Sequence, residues 1–78
     1  MSTTQFQLTI SRGPDAGRTY RGTVGQPFRI GRGAETETAL TDPNVSRLQC
    51  EILGVNRQVC LVQRSRTVPT LVNGQPIE

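Results

Sequence analysis

The first apolar residues of the chain alternate strictly with polar ones. Phe6, Leu8 and Ile10 are separated by single polar residues, which is the period of two expected of a strand with one buried face. The segment "GPDAG" at 13–17 follows, and its Gly, Pro and Asp residues favour a tight turn. The pattern therefore predicts a strand and then a reversal of chain direction.

Two further strands are predicted after this turn. They are "RTYRGTV" at 18–24 and "PFRIGR" at 27–32, and Phe28 and Ile30 of the second share one face. We expect Pro27 at the beginning of its strand, because proline cannot donate a hydrogen bond to a strand ladder.

The alternation fails between Gly31 and Arg47, so this stretch is predicted to be a long loop. Within it, "TAL" at 38–40 is interpreted as a short strand that pairs locally. The tripeptide "DPN" at 42–44 has the composition of a turn.

Regular alternation of apolar segments and turns returns in the last third of the chain. The segments "CEILGV" and "VCLVQR" predict a hairpin that closes near Val55-Asn56-Arg57. The segment "TLVNG" at 70–74 predicts a strand and an Asn-Gly hairpin turn. Turn signals about every eight to twelve residues are typical of an all-β sandwich of antiparallel strands.

Composition adds limits to this fold. With 78 residues the chain is predicted to form one domain over 1–78, and its 4% aromatic content without Trp predicts a thin core. The first twelve residues lack the pattern of a secretory signal, and no apolar run is long enough to cross a bilayer. These features predict a cytoplasmic protein without a membrane partner.

The positive charge is carried entirely by arginine. The nine cations are all Arg, there is no Lys or His, and the net charge is +3. A guanidinium can grip a carboxylate or a phosphate with two parallel hydrogen bonds, although a genome rich in G and C would also favour Arg codons. The cations are scattered along the sequence without interleaved aromatic residues, which argues against a nucleic-acid partner.

The chain offers little for catalysis or metal binding. The absence of His removes the commonest general base and metal ligand, and two cysteines, Cys50 and Cys60, are too few for a zinc site. We predict no enzyme activity, no cofactor and no metal. The two thiols are interpreted as reduced residues on adjacent strands, and a disulfide stays the alternative because its geometry cannot be read from sequence.

The order of the motifs resembles the forkhead-associated (FHA) domain, a β-sandwich that binds phosphothreonine peptides. The resemblance rests on Gly31-Arg32 at a strand end, "DPNVSR" at 42–47, an apolar hairpin and then "TLVNG". It covers nearly the whole chain, since "GPDAGRTY" is similar to the first hairpin of many bacterial members. A single "GR" or "NG" would carry no weight, but the ordered set is specific.

The resemblance implies a phosphopeptide site. Arg32 matches the Arg of the family's Gly-Arg pair, and Ser46 matches the Ser of its Ser-x-x-His motif, whose hydroxyl and amide contact phosphate. Arg47 matches a frequent second polar contact, and Thr67 keeps a hydroxyl position in the later loop. An Arg fork with hydroxyl and amide donors suits the charge and the three acceptor oxygens of a phosphothreonine.

Other residues are expected to support this site. Gly31 would let two backbones approach closely, Gln49 stands where the family has a scaffolding His, and Asn73 with Gly74 would form a structural turn. There are two simpler interpretations of the site residues themselves. Arg32 would form an ion pair with Glu35 or Glu37, and Ser46 would cap a turn.

Three departures from the family change what is expected. Gln49 can donate and accept hydrogen bonds, so the loops are expected to survive the loss of His. An alignment without gaps puts Val68 and Pro69 where the family has Asn and Gly, which removes a contact to the peptide main chain; an insertion would bring Ser65 into play without restoring that Asn. The family's last strands are missing, so we expect a domain that is incomplete at its C-terminal end and prone to strand exchange between copies.

The sequence thus predicts a phosphothreonine-peptide-binding module that mediates protein–protein interaction in kinase-linked bacterial signalling. Its predicted partner is a phosphothreonine-bearing protein, such as a Ser/Thr kinase or its substrate. The alternative is an FHA-like interaction or structural domain that no longer depends on phosphate, which Gln49 and Val68 favour.

Overall fold

All regular secondary structure in the described part of this protein is extended. The structure is a computed structural model and describes residues 5–55 and 58–77. Its strands are β1 (Gln5–Thr9), β2 (Thr19–Thr23), β3 (Phe28–Ile30), β4 (Cys50–Val55), β5 (Gln58–Gln63), β6 (Leu71–Val72) and β7 (Gln75–Pro76). They form three antiparallel sheets in the orders β1-β2, β3-β4-β5 and β6-β7. The predicted all-β fold is confirmed.

Strands β1 and β2 form the predicted first hairpin. Leu8 lies opposite Tyr20 in its register, and inward and outward residues alternate along β1. The "GPDAG" segment closes the hairpin, with the amide of Gly17 donating to the carbonyl of Ile10 (2.8 Å). Gly17 has a φ of 92°, a left-handed conformation that glycine adopts without steric cost.

Strands β3, β4 and β5 form the central sheet. Phe28 lies opposite Ile52 across β3 and β4, and Leu53 lies opposite Cys60 across β4 and β5. Cys50 is opposite Gln63 rather than Cys60, and both cysteines are free thiols, as predicted. The turn predicted near Val55-Asn56-Arg57 has its residues 56 and 57 outside the described part of the chain.

The two larger sheets pack through aromatic side chains. The rings of Phe6 and Phe28 meet edge to face, with centroids 5.2 Å apart and planes at 82°. Gly22 makes room for this contact, because a Cβ atom there would overlap the Phe6 ring. The phenol of Tyr20 donates a hydrogen bond to the Thr38 carbonyl (3.0 Å), which joins the first hairpin to the long loop.

Much of the buried interior is polar. Three apolar side chains in the described residues are buried, and four polar or charged ones are buried beside them: Phe28, Leu40 and Cys50 in the first group, and Asp15, Thr36, Thr38 and Gln49 in the second. The described buried side-chain nitrogen and oxygen atoms all have hydrogen-bond partners. The thin apolar core is thus supplemented by buried polar side chains that are hydrogen-bonded. Buried polar atoms need such partners because they have lost their contacts with water.

The β3–β4 connection, residues 31–49, is irregular. The prediction of a short strand at "TAL" is wrong: the Leu40 amide donates to the Gly31 carbonyl (2.8 Å), but the Thr38 hydroxyl accepts from the Gly31 amide and donates to the Gly31 carbonyl (both 3.0 Å), and no strand ladder forms. The predicted "DPN" turn is confirmed, with Val45 N donating to Asp42 O (3.1 Å) and Asn44 N donating to the Asp42 carboxylate (2.9 Å).

A buried carboxylate fixes this connection to the first hairpin. Asp15 is only 4% exposed, and it accepts hydrogen bonds from the Thr41 amide (2.9 Å), the Thr41 hydroxyl (2.8 Å) and the Asp42 amide (3.2 Å). Arg18 lies 3.2 Å away. Burial alone raises the pKa of Asp15, but these hydrogen bonds and the Arg18 guanidinium outweigh it and hold the pKa below its ordinary value.

The Asn-Gly turn forms the last hairpin, as predicted. Asn73 and Gly74 have φ angles of 52° and 81°, which fits a two-residue turn with both central residues in the left-handed region. Strand β6 pairs with β7 through this turn, with Leu71 opposite Pro76.

Candidate functional site

The Gly-Arg pair lies directly against the segment that carries Ser46. The Arg32 amide donates to the Ser46 carbonyl (3.0 Å), and the Gly33 amide donates to the Arg47 carbonyl (2.9 Å). Arg32 and Ser46 are fourteen positions apart in sequence, and two backbone hydrogen bonds hold their segments side by side. The two residues that the family resemblance assigns to phosphate are therefore neighbours in space.

Gly31 makes this close approach feasible. A Cβ atom at that position would overlap the carbonyl oxygen of Arg47 and would lie 3.0 Å from the Leu48 Cα atom. Both obstacles are backbone, so a side chain could enter only if the two segments separated. The expectation that Gly31 permits close backbone contact agrees with this geometry.

The Arg32 side chain is exposed and only partly engaged. Its Nε atom donates to the Val45 carbonyl (3.0 Å), which fixes the guanidinium over the Ser46 segment. Its two terminal nitrogens have no hydrogen-bond or ion-pair partner within residues 5–55 and 58–77. They are therefore available as a two-pronged donor to an anion.

The alternative pairing of Arg32 with Glu35 or Glu37 is wrong. Glu37 bonds instead to Arg29, at 3.3 Å from its Nε atom, and Glu35 lies 3.7 Å from a terminal nitrogen of Arg47. Both carboxylates are thus directed to other arginines.

Ser46 presents its hydroxyl, whereas its amide is occupied. The Ser46 amide donates to the Gln49 side-chain oxygen (3.1 Å), so it is not free to contact phosphate as the family pattern implies. The Ser46 hydroxyl lies 2.6 Å from the hydroxyl of Ser65. Ser46 therefore does more than cap a turn, because its side chain reaches across to the β5–β6 connection, residues 64–70.

Gln49 takes the scaffolding position predicted for it. It is buried, with 8% exposure, and its side-chain oxygen accepts from Ser46. Its side-chain nitrogen donates to the Val68 carbonyl (2.9 Å) and to the Thr70 hydroxyl (2.8 Å). One amide side chain thus ties the β3–β4 connection to the β5–β6 connection, which requires the donor and the acceptor that glutamine combines.

Ser65 in the β5–β6 connection and Gln63 at the end of β5 have larger roles than the sequence suggested. The Ser65 hydroxyl accepts from the amides of Thr67 (3.2 Å) and Val68 (2.9 Å). The Gln63 side-chain nitrogen donates to the carbonyls of Ser65 and Val68 (both 2.8 Å), and its oxygen accepts from the Thr70 amide (3.1 Å). A serine followed by two residues without regular structure is a weak signal of such a turn, and Gln63 gives no sequence signal beyond its place at a strand end.

Thr67 and Val68 contribute differently to this loop. Thr67 is exposed, so its hydroxyl stands at the surface beside the Ser65 turn. Val68 is half-buried and is held by its carbonyl. Its side chain has no hydrogen-bonding group, so it cannot replace the Asn that orients peptide in the family pattern.

Exposed arginines lie on both connections. Arg32, Arg47 and Arg66 are exposed on the two connections, and the acidic side chain that pairs with this group is Glu35, at 3.7 Å from Arg47. A pair this long and this exposed contributes about 0 to 1 kcal/mol. Arg47 can therefore exchange Glu35 for an incoming anion at little cost.

Within residues 5–55 and 58–77 there is no group of three or more Cys, Asp or Glu side chains that could hold a metal ion. The site consists of cationic and hydroxyl donors on two connected loops, and such a set suits an anion.

Comparison with known proteins identifies the family. The model of the FHA domain matches residues 28–78, more than half of the chain, and the match includes the Gly-Arg pair, Ser46, Gln49 and the Asn-Gly turn. No curated protein and no solved structure matches significantly. FHA domains are phosphopeptide-binding interaction modules and not an enzyme family. With a matching family model, an all-β fold and the two motif loops in contact, this chain belongs to the FHA-domain family.

Proposed function

We propose that this chain binds phosphothreonine peptides through Arg32 and Ser46. The observation that supports the proposal is the pair of backbone hydrogen bonds that joins their two segments, together with the unpaired Arg32 terminal nitrogens among the described residues and the Ser46 hydroxyl. A phosphate dianion supplies acceptors for both groups, and charge-assisted bonds of this kind are about twice as strong as neutral ones.

Arg47 and Thr67 are proposed as flanking contacts. Both are exposed, and they lie on the two connections that meet at Gln49. Arg47 would add a second guanidinium once Glu35 is displaced, and Thr67 would add a hydroxyl from the opposite side. We expect smaller losses of affinity when these two residues are replaced than when Arg32 is replaced.

The proposed partner is a protein that carries phosphothreonine, such as a Ser/Thr kinase or its substrate. The family's ligand class supports this partner, and the similarity of "GPDAGRTY" to the first hairpin of bacterial members supports a bacterial signalling context. The side chain at Val68 offers no donor to peptide backbone, so we expect selectivity to depend mainly on the phosphate.

The test is a titration of a degenerate phosphothreonine peptide pool and its unphosphorylated twin, followed by two-dimensional NMR. We expect binding of the phosphorylated pool only, and a loss of about tenfold to a hundredfold in affinity for Arg32→Ala, since a hydrogen bond between charged groups is worth about 1.5 to 3 kcal/mol. Arg21→Ala is the matched control, because it removes the same charge from an exposed position on β2.

Equal affinity for both peptide pools would contradict the proposal. It would favour instead a phosphate-independent interaction domain, the second candidate, for which Val68 and the occupied Ser46 amide are the specific observations. A loss in Arg21→Ala as large as that in Arg32→Ala would show that net charge, rather than a local site, attracts the peptide.

A further inference from the structure

Ser65 stands behind Ser46 and is not among the residues assigned to phosphate. We propose that Ser65 is a positioning residue that gives its hydroxyl proton to Ser46 and so directs the Ser46 proton toward the bound phosphate. This inference rests on the proposed function of Arg32 and Ser46 and specifies how the serine in that pair is made into a donor.

The hydrogen bonds at Ser65 determine which way its proton points. A serine hydroxyl has two acceptor lone pairs and one proton. The amides of Thr67 and Val68 both donate to the Ser65 oxygen, at 3.2 Å and 2.9 Å, and an amide nitrogen cannot act as the acceptor. Both lone pairs are therefore used, and the 2.6 Å contact with Ser46 must be made by the Ser65 proton.

The same count of lone pairs and protons leaves the Ser46 hydroxyl able to donate one hydrogen bond. Its oxygen accepts from Ser65, and within residues 5–55 and 58–77 its hydroxyl makes no other hydrogen bond to protein. The Ser46 proton is thus free for an external acceptor. A phosphate oxygen is such an acceptor, and Arg32, whose backbone is bonded to that of Ser46, supplies the charge.

The surrounding contacts hold Ser65 in this orientation. The Ser65 amide donates to the Gln49 carbonyl (3.1 Å), and the Ser65 carbonyl accepts from the Gln63 side chain (2.8 Å). Backbone and side chain are both fixed before any ligand arrives, so little rotational freedom is lost on binding.

The arrangement forms a directed chain of donors. The Thr67 and Val68 amides donate to Ser65, Ser65 donates to Ser46, and Ser46 donates to phosphate. Successive hydrogen bonds of one direction polarise each other, so the Ser46 proton is a stronger donor than that of an isolated serine. The Thr67 and Val68 amides are used within this series of hydrogen bonds and do not contact the ligand themselves. They polarise the Ser46 donor through the Ser65 hydroxyl.

A double-mutant cycle on peptide affinity tests this inference. We expect Ser65→Ala to weaken phosphothreonine-peptide binding roughly threefold to tenfold, Ser46→Ala at least as much, and the double variant no more than Ser46→Ala alone. Ser65→Thr keeps the hydroxyl and should bind within about twofold of the wild type.

Ser65→Cys covers the case in which the alanine variant does not fold. A thiol fills nearly the same space but is a weak donor and acceptor, so we expect a folded protein with weakened binding. A two-dimensional NMR spectrum of each variant without peptide verifies that the strands are intact.

The outcomes distinguish a failure of the inferred Ser65 role from a failure of the proposed phosphopeptide binding. If the wild type binds both peptide pools equally, the proposed function fails and the inference fails with it. If the wild type selects the phosphorylated pool but Ser65→Ala and Ser65→Cys bind like the wild type, or the losses at Ser46 and Ser65 simply add, only the role of Ser65 is overturned. Tighter binding by Ser65→Ala would also overturn it, since it would show that the freed amides are the better donors.

Discussion

Two buried polar clusters hold the long β3–β4 connection, and they use opposite chemistry. The Asp15 cluster (Asp15, Arg18, Thr41 and Asp42) is centred on a carboxylate that only accepts hydrogen bonds. The Gln49 cluster (Ser46, Gln49, Val68 and Thr70) is centred on a neutral amide that accepts one and donates two.

The difference shows how each cluster suits its place. The Asp15 cluster holds the middle of the connection, at Thr41 and Asp42, where Arg18 and the amide dipoles balance one negative charge. The Gln49 cluster lies beneath the residues proposed to bind a phosphate, where a buried negative charge would repel the ligand. A neutral side chain can brace that end of the connection without opposing the anion.

The largest expected effect is the loss of stability in Asp15→Ala. The substitution leaves the Thr41 amide, the Thr41 hydroxyl and the Asp42 amide without their acceptor, and the loss of three hydrogen bonds to one charged group is costly even where the donors are only part-buried. We expect a lower urea midpoint than for Gln49→Ala, because three hydrogen bonds lose one shared acceptor, and weaker peptide binding only in proportion to unfolding. Glu35→Ala, which removes an exposed carboxylate, is the control and should unfold like the wild type.

A somewhat smaller loss of stability is expected for Gln49→Ala, about 2 kcal/mol measured by urea unfolding. Gln49→Ala should weaken peptide binding by the folded protein more than Asp15→Ala does, because Gln49 positions Ser46 and the β5–β6 connection together. Gln7→Ala, on the exposed face of β1, is the matched control. If Gln49→Ala bound the phosphopeptide as tightly as the wild type in its folded fraction, the assignment of Gln49 as the brace of the site would be wrong.

Acid should weaken the Asp15 cluster while sparing the Gln49 cluster. The folded-state pKa of Asp15 lies below its ordinary value of 3.8, so between these two values the unfolded chain binds more protons. The stabilisation from Asp15 is thus complete well above pH 3.8 and is lost as the pH falls through the lower folded-state pKa. Unfolding midpoints measured across this range should fall more steeply for the wild type than for Asp15→Asn; parallel curves would disprove the assignment.

The smallest expected effect comes from Gln49→His, which installs the family's residue. A neutral imidazole can accept from the Ser46 amide and donate to one further partner, but a protonated one cannot accept. The folded-state pKa of this histidine should therefore fall below about 6.5. We expect a stability within about 1 kcal/mol of the wild type above about pH 7, with an additional loss toward about pH 5.5 that the wild type lacks. Identical curves for both proteins would mean that the histidine does not occupy the Gln49 position.

The strands could be predicted from sequence because their signals are local. Alternation at Phe6 and Leu8 indicates β1, and the left-handed preference of Asn73-Gly74 indicates the last hairpin, so neighbouring residues suffice. The exception is "TAL", where the hydroxyl of Thr38 bonds to Gly31, seven residues earlier. One backbone bond, from the Leu40 amide to Gly31, stands beside these side-chain bonds instead of a ladder, and alternation cannot reveal such a competition.

The site could be predicted only as far as a family pattern carried it. The family pattern predicted that Arg32 and Ser46 lie close together. It also implied a free Ser46 amide, whereas this amide donates to the Gln49 side chain. Nothing local signals that Asp15 is buried, since its acceptor role depends on Thr41, twenty-six positions away. The link between Ser46 and Ser65 spans nineteen positions, and contacts at such separations depend on the assembled fold.

The pairing of Glu37 with Arg29 bears on how copies of this domain meet each other. The Glu37 amide donates to the Arg29 carbonyl (3.1 Å), and the Glu37 carboxylate accepts from the Arg29 amide (3.3 Å). Arg29 is the middle residue of β3, so both backbone groups that this strand turns away from β4 are already satisfied. A foreign strand would have to displace a hydrogen-bonded loop and break the Glu37–Arg29 ion pair before it could attach there. This side of the central sheet is thereby shielded against fibril-like growth.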